Sequence, residues 1–119
     1  MTPEDKDLLL QDLCARLPYN PMVEYKSETY NVLGVVHGRL VICKPLSSLY
    51  EYPLVEEVKL YLFPLSSMTG EQKSSHNFLK NSAYANPISL IKFYHKNHFD
   101  CNRLIPKGFA NDATNLNIY

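Results

Sequence analysis

The chain has 119 residues, 45% of them hydrophobic and 20% charged, with 12 basic and 12 acidic side chains and a formal net charge of zero. That length suits one domain with its own core, and the balance excludes a largely disordered chain. Zero net charge also speaks against a strongly cationic nucleic-acid binder and against an acidic solvating tail.

Thr2-Pro3-Glu4-Asp5 is a helix start, with a capping hydroxyl, a proline at the first helical position and acids at the positive end of the dipole. Leu9, Leu10, Leu13, Cys14 and Leu17 recur at helical spacing, while Asp5, Lys6, Asp12 and Arg16 fall largely off that stripe. A helix of about 15 residues is expected, stopped by Pro18. The period then changes to that of strands. Met22–Tyr25 is a short strand, Lys26-Ser27-Glu28 a polar turn, and Thr29–Val36 a β-branched and aromatic strand in which Gly34 marks a bulge or bend. His37-Gly38 fits a two-residue hairpin turn, from which Arg39–Lys44 returns. Leu46–Tyr52 reads as a short edge strand between Pro45 and Pro53. Val55–Phe63 is the last strand expected, with Val58, Leu60 and Leu62 on one face and Lys59 and Tyr61 on the other.

After Pro64–Met68, Thr69-Gly70-Glu71-Gln72 is a capping-box pattern opening a polar surface helix over residues 70–80. Residues 81–85 read as a loop. Asn86-Pro87 starts a third helix, with Ile88, Ile91, Tyr94 or His95, and His98 on one face. Leu104, Ile105 and Phe109 are expected to pack back on the core, and residues 111–119 to form a mobile tail outside a packed unit of 1–110. The fold expected is therefore α+β and one domain: an N-terminal helix, an antiparallel sheet or small barrel of four to five strands, two short helices and an irregular tail.

The acidic N-terminus lacks a secretory pattern, and no apolar run approaches the roughly 20 residues of a membrane span. Three cysteines, Cys14, Cys43 and Cys101, are an odd and widely spaced set, which fits reduced thiols in a cytoplasmic protein. Cys14 and Cys43 stand among apolar neighbours and read as buried small hydrophobes.

Leu10-Gln11-Asp12-Leu13-Cys14-Ala15-Arg16-Leu17-Pro18-Tyr19, Leu65-Ser66-Ser67-Met68-Thr69, and His98-Phe99-Asp100 with Leu104-Ile105 and Lys107-Gly108 resemble a family of small uncharacterised proteins. That family is encoded in anaerobic gut bacteria and in their phages and mobile elements. The resemblance implies an accessory protein of phage or mobile-element origin and supplies no catalytic residues.

Four features bear on chemistry. His95, His98, Asp100 and Cys101 cluster at the end of the third helix, as zinc ligands do, but the same histidines also fit a helix C-terminus that favours positive charge. Paired serines at 47–48 and 66–67 lack a nucleophile elbow, a pairing of Cys101 with His76 stays open, and no metal or other cofactor is assigned. Residues 1–70 carry a net charge of −3 and residues 71–119 one of +3, so Lys92, His95, Lys96 and Arg103, with Phe99, form an alternative basic strip for nucleic acid. Nine tyrosines with no tryptophan single out the strand region. Tyrosine gives large contact area at small entropy cost, so Tyr50, Tyr52 and Tyr61 are the candidate binding residues. The reading is a non-enzymatic protein that binds a protein partner or itself, without a membrane.

Overall fold

The computed structural model describes residues 1–81 and 86–119. Helix α1 runs from Pro3 to Arg16. Thr2 closes its start reciprocally with Asp5: the Asp5 N–H donates to Thr2 Oγ1 at 3.1 Å and the Thr2 N–H to Asp5 Oδ2 at 3.3 Å. Pro18 tightens the exit into a 3₁₀ turn, Leu17–Tyr19, and Asn20 reverses the chain in the left-handed region at φ 55°.

Strands β1 (Met22–Tyr25), β2 (Glu28–Val36), β3 (Arg39–Cys43) and β4 (Tyr50–Glu51) follow as an antiparallel meander. The first two connections are two-residue turns with both φ values positive, at Lys26-Ser27 and at His37-Gly38, which is the hairpin geometry that matches strand twist, and a longer loop joins β3 to β4. The bulge signalled by Gly34 is present: the β2–β3 register slips between Val32 and Gly34, which leaves Leu33 without a partner and exposed. Strand β5 (Lys59–Leu62) pairs antiparallel with β1. It is shorter than the strand expected over Val55–Phe63, because Val55–Glu57 coils into a 3₁₀ turn whose start is held by the Leu54 N–H donating to the Glu57 carboxylate at 2.8 Å.

Helix α2 (Gly70–Asn81) begins with the expected box, Thr69 and Gln72 exchanging bonds of 2.8 and 3.2 Å. Asn81 thus ends a helix, and residues 82–85 of the expected loop lie outside the described residues. Helix α3 (Pro87–Lys96) is capped by Asn86, whose Oδ1 accepts from the Ile88 N–H at 2.9 Å. The last strand, β6 (Ala110–Asp112), lies parallel to β5. The sheet is open and six-stranded, in the order β4-β3-β2-β1-β5-β6. The chain is thus α+β, with one mixed sheet in place of a barrel, and among the described residues no helix is long and apolar enough to cross a membrane.

The terminal segment expected to be mobile is seated in the fold. Parallel pairing of β6 places Ala113 in the interior, and its N–H donates to Leu62 O at 2.8 Å. Tyr119 stacks on the His98 ring with centroids 3.5 Å apart, accepts from the Met22 N–H at 2.9 Å and donates to Tyr61 O at 2.9 Å. The face expected of α3 holds in its second half: Ile88 and Ile91 are exposed, whereas His95 is buried, Tyr94 is half-buried with its Oη bonded to His76 of α2 at 2.8 Å, and Phe93 alongside packs against Phe99 at 5.9 Å.

The core forms where α1 lies on one face of the sheet. Leu9 and Leu13 join Val23, Val32, Leu40, Ile42, Leu60 and Leu62 in one buried cluster. Leu13 is 1% exposed. Replacing it by alanine is expected to cost about 2–5 kcal/mol, the range for a buried leucine that leaves a cavity, read from the midpoint of chemical denaturation.

Candidate functional site

The tyrosine edge is built by the segment between β3 and β4. The Cys43 thiol donates to Ser47 O at 2.9 Å, and Ser47 Oγ accepts from the Leu49 N–H at 3.1 Å, so a short loop is folded on itself. Beyond it, the Leu40 N–H donates to Pro53 O at 2.9 Å and Arg39 Nη1 to Tyr52 O at 3.1 Å, which fixes the far end of β4 on β3. No described strand pairs with the other side of β4. Tyr50 is 51% and Tyr52 57% exposed, and Leu46 and Leu49 beside them are more exposed still. Charged groups border this edge. Lys44 pairs with Glu28 at 2.6 Å and stands over the Tyr30 ring, and Lys26 stands over the Tyr25 ring. The hydrogen bond that Lys44 donates to Glu28 holds the Glu28 carboxyl below its usual range and raises Lys44.

Tyr61, the third tyrosine expected at this surface, lies elsewhere. It is buried, on β5 next to the opposite edge of the sheet, where its carbonyl receives the Tyr119 hydroxyl. Its ring is covered because both faces of β5 are occupied, as the burial of Leu60, Tyr61 and Leu62 in succession shows.

A second group of polar side chains is internal, and it centres on residues the helical stripe did not include. Asp12 and Arg16 are both buried, Arg16 completely. Arg16 Nε donates to Asp12 Oδ2 at 2.8 Å and Nη2 to Oδ1 at 3.2 Å. Nη2 also donates to Phe99 O at 2.8 Å and lies 3.7 Å from Cys101 Sγ. Asn102 Nδ2 donates to Asp12 Oδ1 at 2.7 Å. His95, buried in the last turn of α3, has its Nε2 3.8 Å from Cys101 Sγ. The structure therefore unites His95 and Cys101 but parts them from the other members of the expected cluster. His98, at φ 60°, turns to Tyr119, and Asp100 accepts from the Leu104 and Ile105 N–H groups at 2.8 Å each. Cys101 pairs with His95 and not with His76, which bonds Tyr94. Cys14, expected inside, is exposed, because the buried stripe of α1 is Leu9-Asp12-Leu13-Arg16.

Burial sets the protonation of this group. It pushes His95 down, with the Arg16 charge adding to the effect and the Asp12 carboxylate opposing it, so the imidazole takes up a proton less readily than a free one. It pushes the Cys101 thiol up against the opposing pull of Arg16. His98 is pushed down to about 4 by burial and by Arg16, and the Tyr119 hydroxyl up to about 12 by burial. The basic strip expected on α3 is broken by the same packing: Lys92, Lys96 and Arg103 are exposed, but His95 and Phe99 point inward.

No protein-family model, curated protein or solved structure matches this chain.

Two outcomes follow from the internal group. Asp12→Ala leaves a buried guanidinium without its counter-charge, so it is expected to destabilise the protein by about 3–5 kcal/mol in denaturant titration. His98 has a lower pKa folded than the 6.5 it starts from, so the unfolded state takes up protons first as pH falls. Stability is full above about pH 6.5 and declines as pH drops toward 4. His95 acts in the same direction. Melting temperature measured from pH 7.5 to 5 should fall, and His98→Asn, which tolerates the left-handed backbone, should flatten the slope.

Proposed function

We propose that this protein is a non-enzymatic accessory factor that binds an extended segment of a partner polypeptide by strand addition at β4. The observation that carries the reading is the unpaired outer side of β4 with Tyr50 and Tyr52 exposed on it. An edge strand offers backbone donors and acceptors to a partner strand, and exposed aromatic side chains add contact area. Two prolines bracket the segment, Pro45 and Pro53, and limit how far an added strand extends. The Lys26, Glu28, Lys44 and Glu51 charges around it supply a polar rim of both signs, which suits a partner segment of mixed charge. A phage or mobile-element origin and a cytoplasmic location belong to the same proposal, through the resemblance and the thiol pattern. The nucleic-acid reading has less support, since two members of its strip are buried.

Capture from cells by the parent protein and by a Tyr50→Ala, Tyr52→Ala double variant tests the edge. The expected result is loss of the specific partner with melting temperature nearly unchanged, and slowed amide exchange at residues 50–52 when that partner is added to the parent. A stable variant that retains every partner of the parent rules the edge out. Retention that collapses with salt on DNA would favour the basic second half instead.

A further inference from the structure

We propose that Asp12, His95 and Cys101 form a binding site for a thiophilic divalent cation of the zinc class, with three protein ligands and a fourth position open to the cleft beside them.

The placement comes from three parts of the fold. Asp12 lies on α1, His95 on the last turn of α3, and Cys101 in the turn that follows. One ligand atom from each lies within 4.8 Å of the other two. A tetrahedral ion with a metal–sulfur bond of about 2.3 Å and a metal–nitrogen bond of about 2.0–2.1 Å holds those two ligand atoms about 3.6 Å apart. Cys101 Sγ and His95 Nε2 are 3.8 Å apart, so that pair needs to move only by tenths of an ångström. The donor set is one nitrogen, one sulfur and one carboxylate oxygen. Magnesium and calcium take all-oxygen sets, whereas imidazole with thiolate selects zinc and its neighbours.

Asp12 retains the capacity to ligate. Its Oδ1 already accepts from Arg16 and Asn102, but Oδ2 accepts one bond, from Arg16 Nε, and keeps a lone pair. Arg16 and Asn102 then act as the outer partners that orient a ligating carboxylate. A cleft of about 200 Å³ lies against all three ligands, with Gln11 and Asn102 on its wall, and gives the ion an entry path and a place for a fourth ligand.

Charge fixes what that fourth ligand is. On binding, the S–H bond of Cys101 breaks, its proton leaves to solvent and the sulfur pair forms the bond to the metal. The dication, the thiolate and the Asp12 carboxylate then sum to zero, and the Arg16 guanidinium leaves one positive charge in a buried setting. A hydroxide or a small carboxylate at the open position removes it. The site thus favours an anionic fourth ligand, and uptake of the ion should strengthen as pH rises.

Cobalt(II) added to the chelator-stripped full chain is the test, since a thiolate ligand gives it a charge-transfer absorption and tetrahedral geometry intensifies its visible bands. The expected result is saturation at one equivalent, reversal by zinc, and slower alkylation of Cys101 in the presence of zinc. Cys101→Ser should abolish the charge-transfer band and weaken binding by at least about tenfold, while Cys43→Ser keeps both. Alkylation of the parent protein gives an answer that no variant's folding can obscure. Absence of a thiolate band at stoichiometric cobalt overturns the site, as does a band that survives Cys101→Ser, or zinc that leaves Cys101 alkylation unchanged.

Discussion

The fold depends on one buried guanidinium. Arg16 ends α1, and with Asp12 it carries an ion pair of zero net charge into the buried interface. Its bond to Phe99 O reaches the turn after α3, and the backbone bonds of Phe63 with His98 and Asp100 tie that turn to the end of β5. Helix, turn and sheet therefore meet at one side chain. A charged group taken out of water is costly unless its hydrogen bonds are met, and here the Asp12 carboxylate and the Phe99 carbonyl accept from Nε and Nη2. One of its nitrogens, Nη1, finds no partner among the described residues, which leaves the network short of full satisfaction.

The same residue governs the chemistry around it. Its charge lowers the proton affinity of His95 and His98 and opposes the rise that burial imposes on Cys101. At the two imidazoles burial and the neighbouring cation act together, whereas at the Cys101 thiol they oppose each other and burial is the larger effect. The exposed edge at β4 lies far from this constraint in the sheet order, four strands from β5. The two regions are built on different physics, one on desolvated charge and the other on unpaired backbone and exposed rings.

Much of the architecture was legible in the sequence wherever a local rule governs it. Thr2, Thr69 and Asn86 cap helices where their side chains predict, Gly34 marks the bulge, and His37-Gly38 makes the hairpin. What was not legible depends on distant residues. A three-residue strand such as β6 has no periodicity of its own and exists because β5 offers an edge. Tyr61 alternates with its neighbours as an outward residue does, yet the return of the chain to Tyr119 helps enclose it. The Asp12–Arg16 pair had a signal: Leu9, Asp12, Leu13 and Arg16 follow the i, i+3, i+4, i+7 pattern of one helix face. Hydrophobicity alone assigns such charges to solvent, and only their i, i+4 complementarity marks them as able to enter together. Tyr50 and Tyr52 were readable because the prolines around them confine the segment to an edge.

The span between Arg16 and its acceptor at Phe99 is 83 residues. A ribosome adding about 5–20 residues per second takes roughly 4–17 s to cover it. Throughout that interval α1 is without its anchor, while the meander of β1 to β4, which needs only near neighbours, is synthesised within it. The ion pair with Asp12 is the part of the network that α1 can make alone, one turn away on its own surface. Of the bonds that the Arg16 side chain makes in the folded chain, those to Asp12 are therefore the ones whose acceptor is synthesised before it, and the Phe99 carbonyl comes later.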